Sequence, residues 1–157
     1  MYGKIIAPEQ AQQRMLHIKS ISEKLVFTNG CFDLLHPGHI EYLIAARALG
    51  SQLVVGVNDD KSVSRLKGNT RPLNPLQDRM IMLAALQSVD HVIPFSEDTP
   101  LELITMIRPH VIVKGGDYSP EQMIGAELVQ SYGGEVVILP FKEGYSSTRV
   151  IDKIKRL

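Results

Sequence analysis

The stretch from Val26 to His39 leaves this chain few ways to fold. Leu25, Val26 and Phe27 read as a short buried strand, which Asn29-Gly30 interrupts. From Ile40 onward apolar residues return at Leu43, Ile44 and Ala48, the period of a helix packed on one face. His36-Pro37-Gly38-His39 therefore falls at the start of that helix. There, unpaired backbone N–H groups and the positive end of the helix dipole favour anions. Two imidazoles beside a glycine that admits close backbone approach make a phosphate-gripping corner. A pair of solvated loop histidines is the plainer alternative, but a random chain seldom sets this run directly between a strand and an amphipathic helix. Zinc needs three or four ligands. Cys31 is the only cysteine, and His17, His91 and His110 are scattered, so no metal-ligand set is expected.

The remainder alternates the same two elements. Residues 8–19 suit a loosely patterned helix, and strands are expected at about 24–29, 53–57, 92–94, 111–114 and 136–139. The helix after the histidines should stop near Leu49, before Gly50. A polar stretch from Asn58 to Asn74 carries Lys61, Arg65, Lys67 and Arg71, and its Gly68 and Pro72 argue for a loop over its second half. Asn74-Pro75-Leu76-Gln77 supplies an N-cap, a proline at the first helical position and a glutamine at the third, opening a helix to about Ser88. Thr99-Pro100 repeats the device for a helix to about Ile107, and Ser119-Pro120-Glu121-Gln122 opens another that ends near Gly133. A last short helix starts at about Ser147. Short apolar strands alternating with helices predict one α/β Rossmann-like domain over residues 1–157, with a parallel five-stranded sheet and helices on both faces. Within it, residues 1–22 form an N-terminal helical segment and residues 24–151 the core.

Four clusters follow strand ends or open helices: the His36/His39 corner, Lys67 with Arg71, Gly115-Gly116-Asp117, and Ser146-Ser147-Thr148-Arg149. In a parallel sheet all strand C-termini share one edge, so these clusters converge on one site. Taken singly, the last would be an ordinary helix cap and the third an ordinary turn. Together they suit a nucleoside triphosphate. No Gly-x-Gly-x-x-Gly follows a strand and no Walker-type Gly-Lys-Ser/Thr occurs, which disfavours dinucleotide dehydrogenases and P-loop enzymes.

Thr28 to His39 resembles the signature of the nucleotidyltransferase superfamily, which includes the cytidylyltransferases and phosphopantetheine adenylyltransferase. A wider set extends the likeness: Leu66-Lys67-Gly68 with Arg71-Pro72, Val113 to Tyr118, Gly133 to Val136 and Tyr145 to Thr148. It is similar to the D-glycero-β-D-manno-heptose 1-phosphate adenylyltransferases of that superfamily, over about Lys24 to Ile151. Ser147 stands where threonine is common, which keeps the hydroxyl. The resemblance implies transfer of AMP from ATP, with Mg²⁺ held mainly through the ATP phosphates, to a sugar 1-phosphate. The products would be ADP-heptose, for lipopolysaccharide inner-core synthesis, and pyrophosphate. In many bacteria this domain is fused to a sugar kinase, so a stand-alone form is expected here. His36, His39 and Lys67 would be catalytic, His36 at the triphosphate. Thr28, Asn29, Gly30, Cys31, Phe32, His39 and Gly115 would meet the nucleotide, and Ser146, Ser147 and Thr148 the β- and γ-phosphates. Asp33, Arg71, Arg79, Lys114, Asp117 and Arg149 are secondary candidates for substrate or phosphate contacts. The chemistry requires positioning and cationic stabilisation rather than covalent help, so Cys31 needs no role as a nucleophile.

Composition bounds the alternatives. Lys plus Arg and Asp plus Glu both number 17, which removes the basic field that nucleic-acid binding needs, and aromatic residues make up only 6%. The first eight residues lack a signal-peptide core, no apolar run spans a membrane, and one cysteine suits a reducing compartment, so a cytoplasmic location is expected. A homo-oligomer is compatible with the sequence. A cytidylyltransferase acting on glycerol or ethanolamine phosphate is the nearest rival. A non-catalytic nucleotide-binding module is disfavoured by the presence of both histidines.

Overall fold

Strands β1 (Leu25–Gly30), β2 (Gln52–Asn58), β3 (His91–Phe95), β4 (Val111–Gly115) and β5 (Glu135–Leu139) form one all-parallel sheet in the order β3-β2-β1-β4-β5. The computed structural model describes residues 2–21, 24–116, 119, 122–140 and 144–156. Among these are helices α1 (Pro8–Ile21), α2 (Pro37–Arg47), α3 (Asp60–Lys67), α4 (Leu76–Ala85), α5 (Leu101–Ile107), α6 (Ala126–Ser131) and α7 (Ser147–Lys155).

The inner strands have continuous apolar runs because both faces of the sheet are covered. On one face Leu25, Phe27, Val54 and Ile112 pack against Met15 of α1, Leu103 and Ile104 of α5, and Val129 of α6. On the other, Val26, Val55 and Val113 meet Leu43 and Ala46 of α2 and Leu83 of α4. The expected architecture is therefore the observed one, with local differences. The first half of the polar stretch is helix α3. Asp59 caps it by accepting a hydrogen bond from Ser62 N at 2.7 Å, and Gly68, at φ +95°, ends it. Asn74 does not cap α4: Pro75 holds that position, while the Asn74 side chain turns back to the Asp33 carbonyl. Likewise Pro100, rather than Thr99, precedes α5. Helix α4 closes at Ala85, three residues short of Ser88. Helix α6 begins only at Ala126, because Gly125 takes the left-handed conformation (φ +88°) and breaks the backbone before it. The expected opening at Pro120-Glu121 lies outside the described residues.

The turn after α2 depends on a residue without a side chain. A Cβ on Gly50 would lie 2.6 Å from the Lys24 carbonyl oxygen and 2.6 Å from Val26 Cγ2. The carbonyl is backbone and cannot swing away, so Gly50→Ala should destabilise the fold by about 1–3 kcal/mol. That is a fall in Tm of several degrees in a thermal melt. Gly3→Ala, where nothing stands within 4 Å, should melt like the parent.

Candidate active site

The sheet opens at its centre. β1 pairs with β2 along its whole length, from Leu25–Gln52 to Gly30–Val57, yet pairs with β4 only at Val26–Val111 and Phe27–Ile112. Beyond that point the strands are bridged by side chains. Tyr42 of α2 shares a 2.6 Å hydrogen bond with Thr28 Oγ1 and donates to the Val113 carbonyl at 3.0 Å. Further out, Lys114 Nζ donates to Asn29 Oδ1 at 3.1 Å. This is the topological switch point of the sheet, where open α/β sheets place their ligands. Thr28 is 1% exposed, and its hydroxyl is bonded to Tyr42. Tyr42 was not anticipated as a site residue, although its spacing from His39 and Leu43 puts it on the inward side of the same helix.

The histidine corner is built by backbone shape. Phe32 takes φ +48°, a conformation that side chains rarely adopt, and its ring covers Gly30, where a Cβ would come within 3.0 Å of it. The Phe32 ring then lies 5.4 Å from that of His39. His36 and His39 stack at 3.8 Å between ring centroids, and Tyr145 lies beyond His36 at 6.2 Å. Gly38 permits this, since a Cβ there would stand 3.2 Å from His36 Nδ1 and 3.1 Å from Tyr145 Cβ. Burial, then the neighbouring His36 charge, lowers the His39 pKa to about 4, and burial lowers that of His36. Both rings are thus neutral at pH 7. The Nδ1 atoms of both are buried with no hydrogen-bond partner, an unsatisfied pair at the N-terminus of an 11-residue helix. A shallow hollow of about 380 Å³ opens beside them between Leu35 and Glu41.

Two buried charges set the corner in place. The Asp33 carboxylate accepts from Arg71 Nε, from Leu73 N at 2.8 Å and from Asn74 N at 2.9 Å. Burial alone would raise its pKa, but the Asn74 and Leu73 amides and the Arg71 guanidinium outweigh that and hold it below the usual carboxylate range. Asp33 therefore ties the 71–74 segment to the motif, and Arg71 is engaged by it. Arg79 corrects an expectation. It is 0% exposed and donates to the carbonyls of Cys31 (2.6 Å), Asn58 (2.8 Å) and Asn74 (3.0 Å) and to Asp60 Oδ1 (2.7 Å). Fully buried, and bonded to three backbone carbonyls and the Asp60 carboxylate, Arg79 is a positioning residue behind the site rather than a phosphate contact.

Other candidates gather around this frame. Lys67 stands on the last turn of α3 instead of in a loop, near enough to Cys31 and Lys114 to bias both electrostatically. Burial raises the Cys31 pKa, and the nearby Lys67, Arg79 and Lys114 only partly offset it, so the thiol is no activated nucleophile. Ser146 caps α7 by accepting from Arg149 N, and Ser147 Oγ donates to the Leu34 carbonyl at 3.1 Å, which brings this hydroxyl row to the motif. Thr148 and Arg149 are exposed on the first turn of α7. Gly115 is buried at the end of β4, and Asp117 lies outside the described residues. Arg65 is drawn away, paired with Asp98 at 2.6 Å. Among the described residues no group of three or more His, Cys, Asp or Glu side chains is placed to hold a metal ion.

Two substitutions test the frame. Arg79→Met strands one buried carbonyl, of Asn58, and two part-buried ones, of Cys31 and Asn74, and should cost about 3–5 kcal/mol in urea unfolding, far more than the half-exposed Asp60 contact would suggest. Asp33→Asn should cost about 2 kcal/mol at pH 7. Because the folded pKa of Asp33 is depressed, its contribution is complete above the unfolded value near 3.9 and is lost as pH falls through the folded one. The gap between parent and variant should therefore close in acid, read as converging urea midpoints.

Known proteins resemble this chain. The cytidylyltransferase-like family model matches residues 27–153. Bifunctional protein HldE of Nitrosococcus oceani is 51% identical over 150 residues, covering 93% of this chain and 32% of its own length. Bifunctional protein HldE of Actinobacillus pleuropneumoniae is 53% identical over 151 residues, 96% of this chain and again 32% of its own. The chain thus spans about a third of the length of these curated relatives. The crystal structure of the lipopolysaccharide core biosynthesis protein from Thermoplasma volcanium is 31% identical and superposes with a TM-score of 0.61, over 78% of this chain and 98% of that one. Pantoate-beta-alanine ligase from Francisella tularensis shares the fold at 17% identity, with a TM-score of 0.67 over 98% of this chain and 78% of its own. By the reach of the family model and by the Thermoplasma structure, this chain belongs to the cytidylyltransferase-like family.

Proposed function

We propose that this chain transfers AMP from ATP to D-glycero-β-D-manno-heptose 1-phosphate, giving ADP-heptose for lipopolysaccharide inner-core synthesis, and pyrophosphate. The observation that carries the nucleotidyl transfer is the stacked His36–His39 pair with both Nδ1 atoms unsatisfied at the start of α2. The sugar follows from the motif set quoted above and from relatives named bifunctional, of which this chain matches about a third. The lipopolysaccharide core biosynthesis protein of Thermoplasma volcanium agrees with that direction.

On this reading MgATP is the substrate, its Mg²⁺ held by phosphate oxygens. An oxygen of the sugar phosphate attacks the α-phosphorus. The bond to the bridging oxygen of the β-phosphate breaks, and pyrophosphate leaves with that electron pair. Charge grows on the equatorial oxygens and the leaving group. The neutral His36 and His39 donate N–H bonds to the phosphates, and Lys67 adds positive charge from the end of α3. Lys114 does so from the crevice, and Ser146 to Thr148 hold the far phosphates. The acceptor needs no protein base, since a phosphate monoester loses its second proton near pH 6. Asp33, with both oxygens engaged, serves as an organiser in this scheme.

The family's cytidylyltransferase description favours one second reading, CTP with a phospho-alcohol. A matrix of ATP or CTP against sugar 1-phosphates and phospho-alcohols, read by pyrophosphate release with Mg²⁺ present, separates the two. We expect the heptose 1-phosphate with ATP to turn over fastest. A preference for CTP with glycerol phosphate would replace this function, and no release from any pair would remove it. His39→Ala should lower kcat roughly a hundredfold or more. A folded variant that keeps most of its turnover would take His39 out of the chemistry.

A further inference from the structure

Helix α7 buries none of its residues. Val150, Ile151 and Ile154 form one stripe along it, with Val150 40% and Ile154 62% exposed. At 100° per residue Lys153 and Lys155 fall on either side of that stripe, while Asp152, Arg149 and Arg156 lie behind. A nine-residue helix with a bare apolar face is marginal by itself, so its stripe calls for a covering surface.

A surface of matching chemistry lies elsewhere on the molecule. Between the end of β3 and α5 a groove of about 290 Å³ is lined by Phe95, Leu103 and Met106 and rimmed by Asp59, Glu97 and Glu102. The nearby Asp98 is already paired with Arg65. The groove is apolar within and acidic at the rim, where α7 is apolar along its stripe and basic at its flanks. The two cannot satisfy each other within one chain as it is folded. They follow β3 and β5, the opposite edges of the sheet, and α7 contributes nothing to the groove. The zero net charge of the chain thus conceals two separated and complementary patches.

We propose that α7 of one copy docks into the β3–α5 groove of a second copy, with Val150 and Ile154 seated as i, i+4 anchors and the flanking lysines meeting the rim carboxylates. Giver and receiver surfaces differ, so the contact is heterologous and builds a ring or an open chain of copies. Docking would also fasten the helix whose first turn carries Ser146 to Thr148. The association itself does not depend on the reaction assigned to the site.

Sedimentation of the full chain with charge reversals tests it. The parent should run as a multiple of the single-chain mass, and 1 M salt should weaken it, since the Debye length falls to about 3 Å. Lys153→Glu with Lys155→Glu should weaken self-association roughly tenfold or more, as should Glu97→Lys with Glu102→Lys. Ile154→Asp should do the same from the apolar side. An equimolar mixture of the two charge-reversed chains should associate again, because each α7 then faces a groove of opposite sign. A parent that is monomeric at high concentration would overturn the proposal. So would an oligomer that none of the three changes weakens, or reversed chains, folded by circular dichroism, whose mixture stays dissociated.

Discussion

The C-terminal edge of the sheet is held by one guanidinium that solvent never reaches. Arg79 gathers the carbonyl after β1, the carbonyl ending β2, the carboxylate opening α3 and the carbonyl before α4. A planar fork with five donors is the side chain suited to four acceptors arriving from different directions, and a lysine could not span them. Asp33 is its counterpart of opposite sign: a carboxylate that collects two backbone amides and Arg71. Between them these two charges fix the turn that puts Phe32 and the histidines where they are. The 71–74 segment is held from both sides, through its amides and through a carbonyl. Neither residue needs to touch a ligand for the site to depend on it.

The sequence revealed the architecture more readily than the roles of individual charges. Strand alternation, Gly50 and the placement of His36 to His39 at a helix start were all legible, because they rest on local patterns with a period or a punctuation mark. Arg79 was misread because composition registers a cation without registering its surroundings. On α4 it occupies an inward position that only the packing of four separate segments makes polar. The capping of α4 and α5 shifted by one residue for a related reason. Asn74 had a better use in bonding the Asp33 carbonyl, a tertiary contact across 41 residues that no local rule anticipates. Tyr42 was overlooked since a tyrosine on a buried helix face reads as core until its hydroxyl is seen to bridge two strands that have ceased to pair.

The molecule also separates its charges by function. Pairs such as Arg65 with Asp98 and Lys24 with Glu135 are half-exposed and contribute little to stability. The cations around the crevice behave differently. Burial, and behind it the nearby Lys67 charge, lowers the Lys114 pKa, and among the described residues neither lysine forms a salt bridge. Two stacked imidazoles, kept neutral by burial, each add an N–H to this region. Such a region suits the anion of the proposed reaction.

Lys114 carries that idea furthest. Burial lowers its pKa, and its nearest partners are the amide oxygens of Asn29, dipoles rather than a counter-ion. Dipoles orient a cation without replacing its charge, so Lys114 still presents a positive field to the crevice. In the proposed transfer, negative charge gathering there would meet surroundings already polarised the right way, with little left to rotate. In water that response would require many molecules to reorient at the moment of reaction. Here the Lys114–Asn29 contact, already made on folding, would supply it in advance.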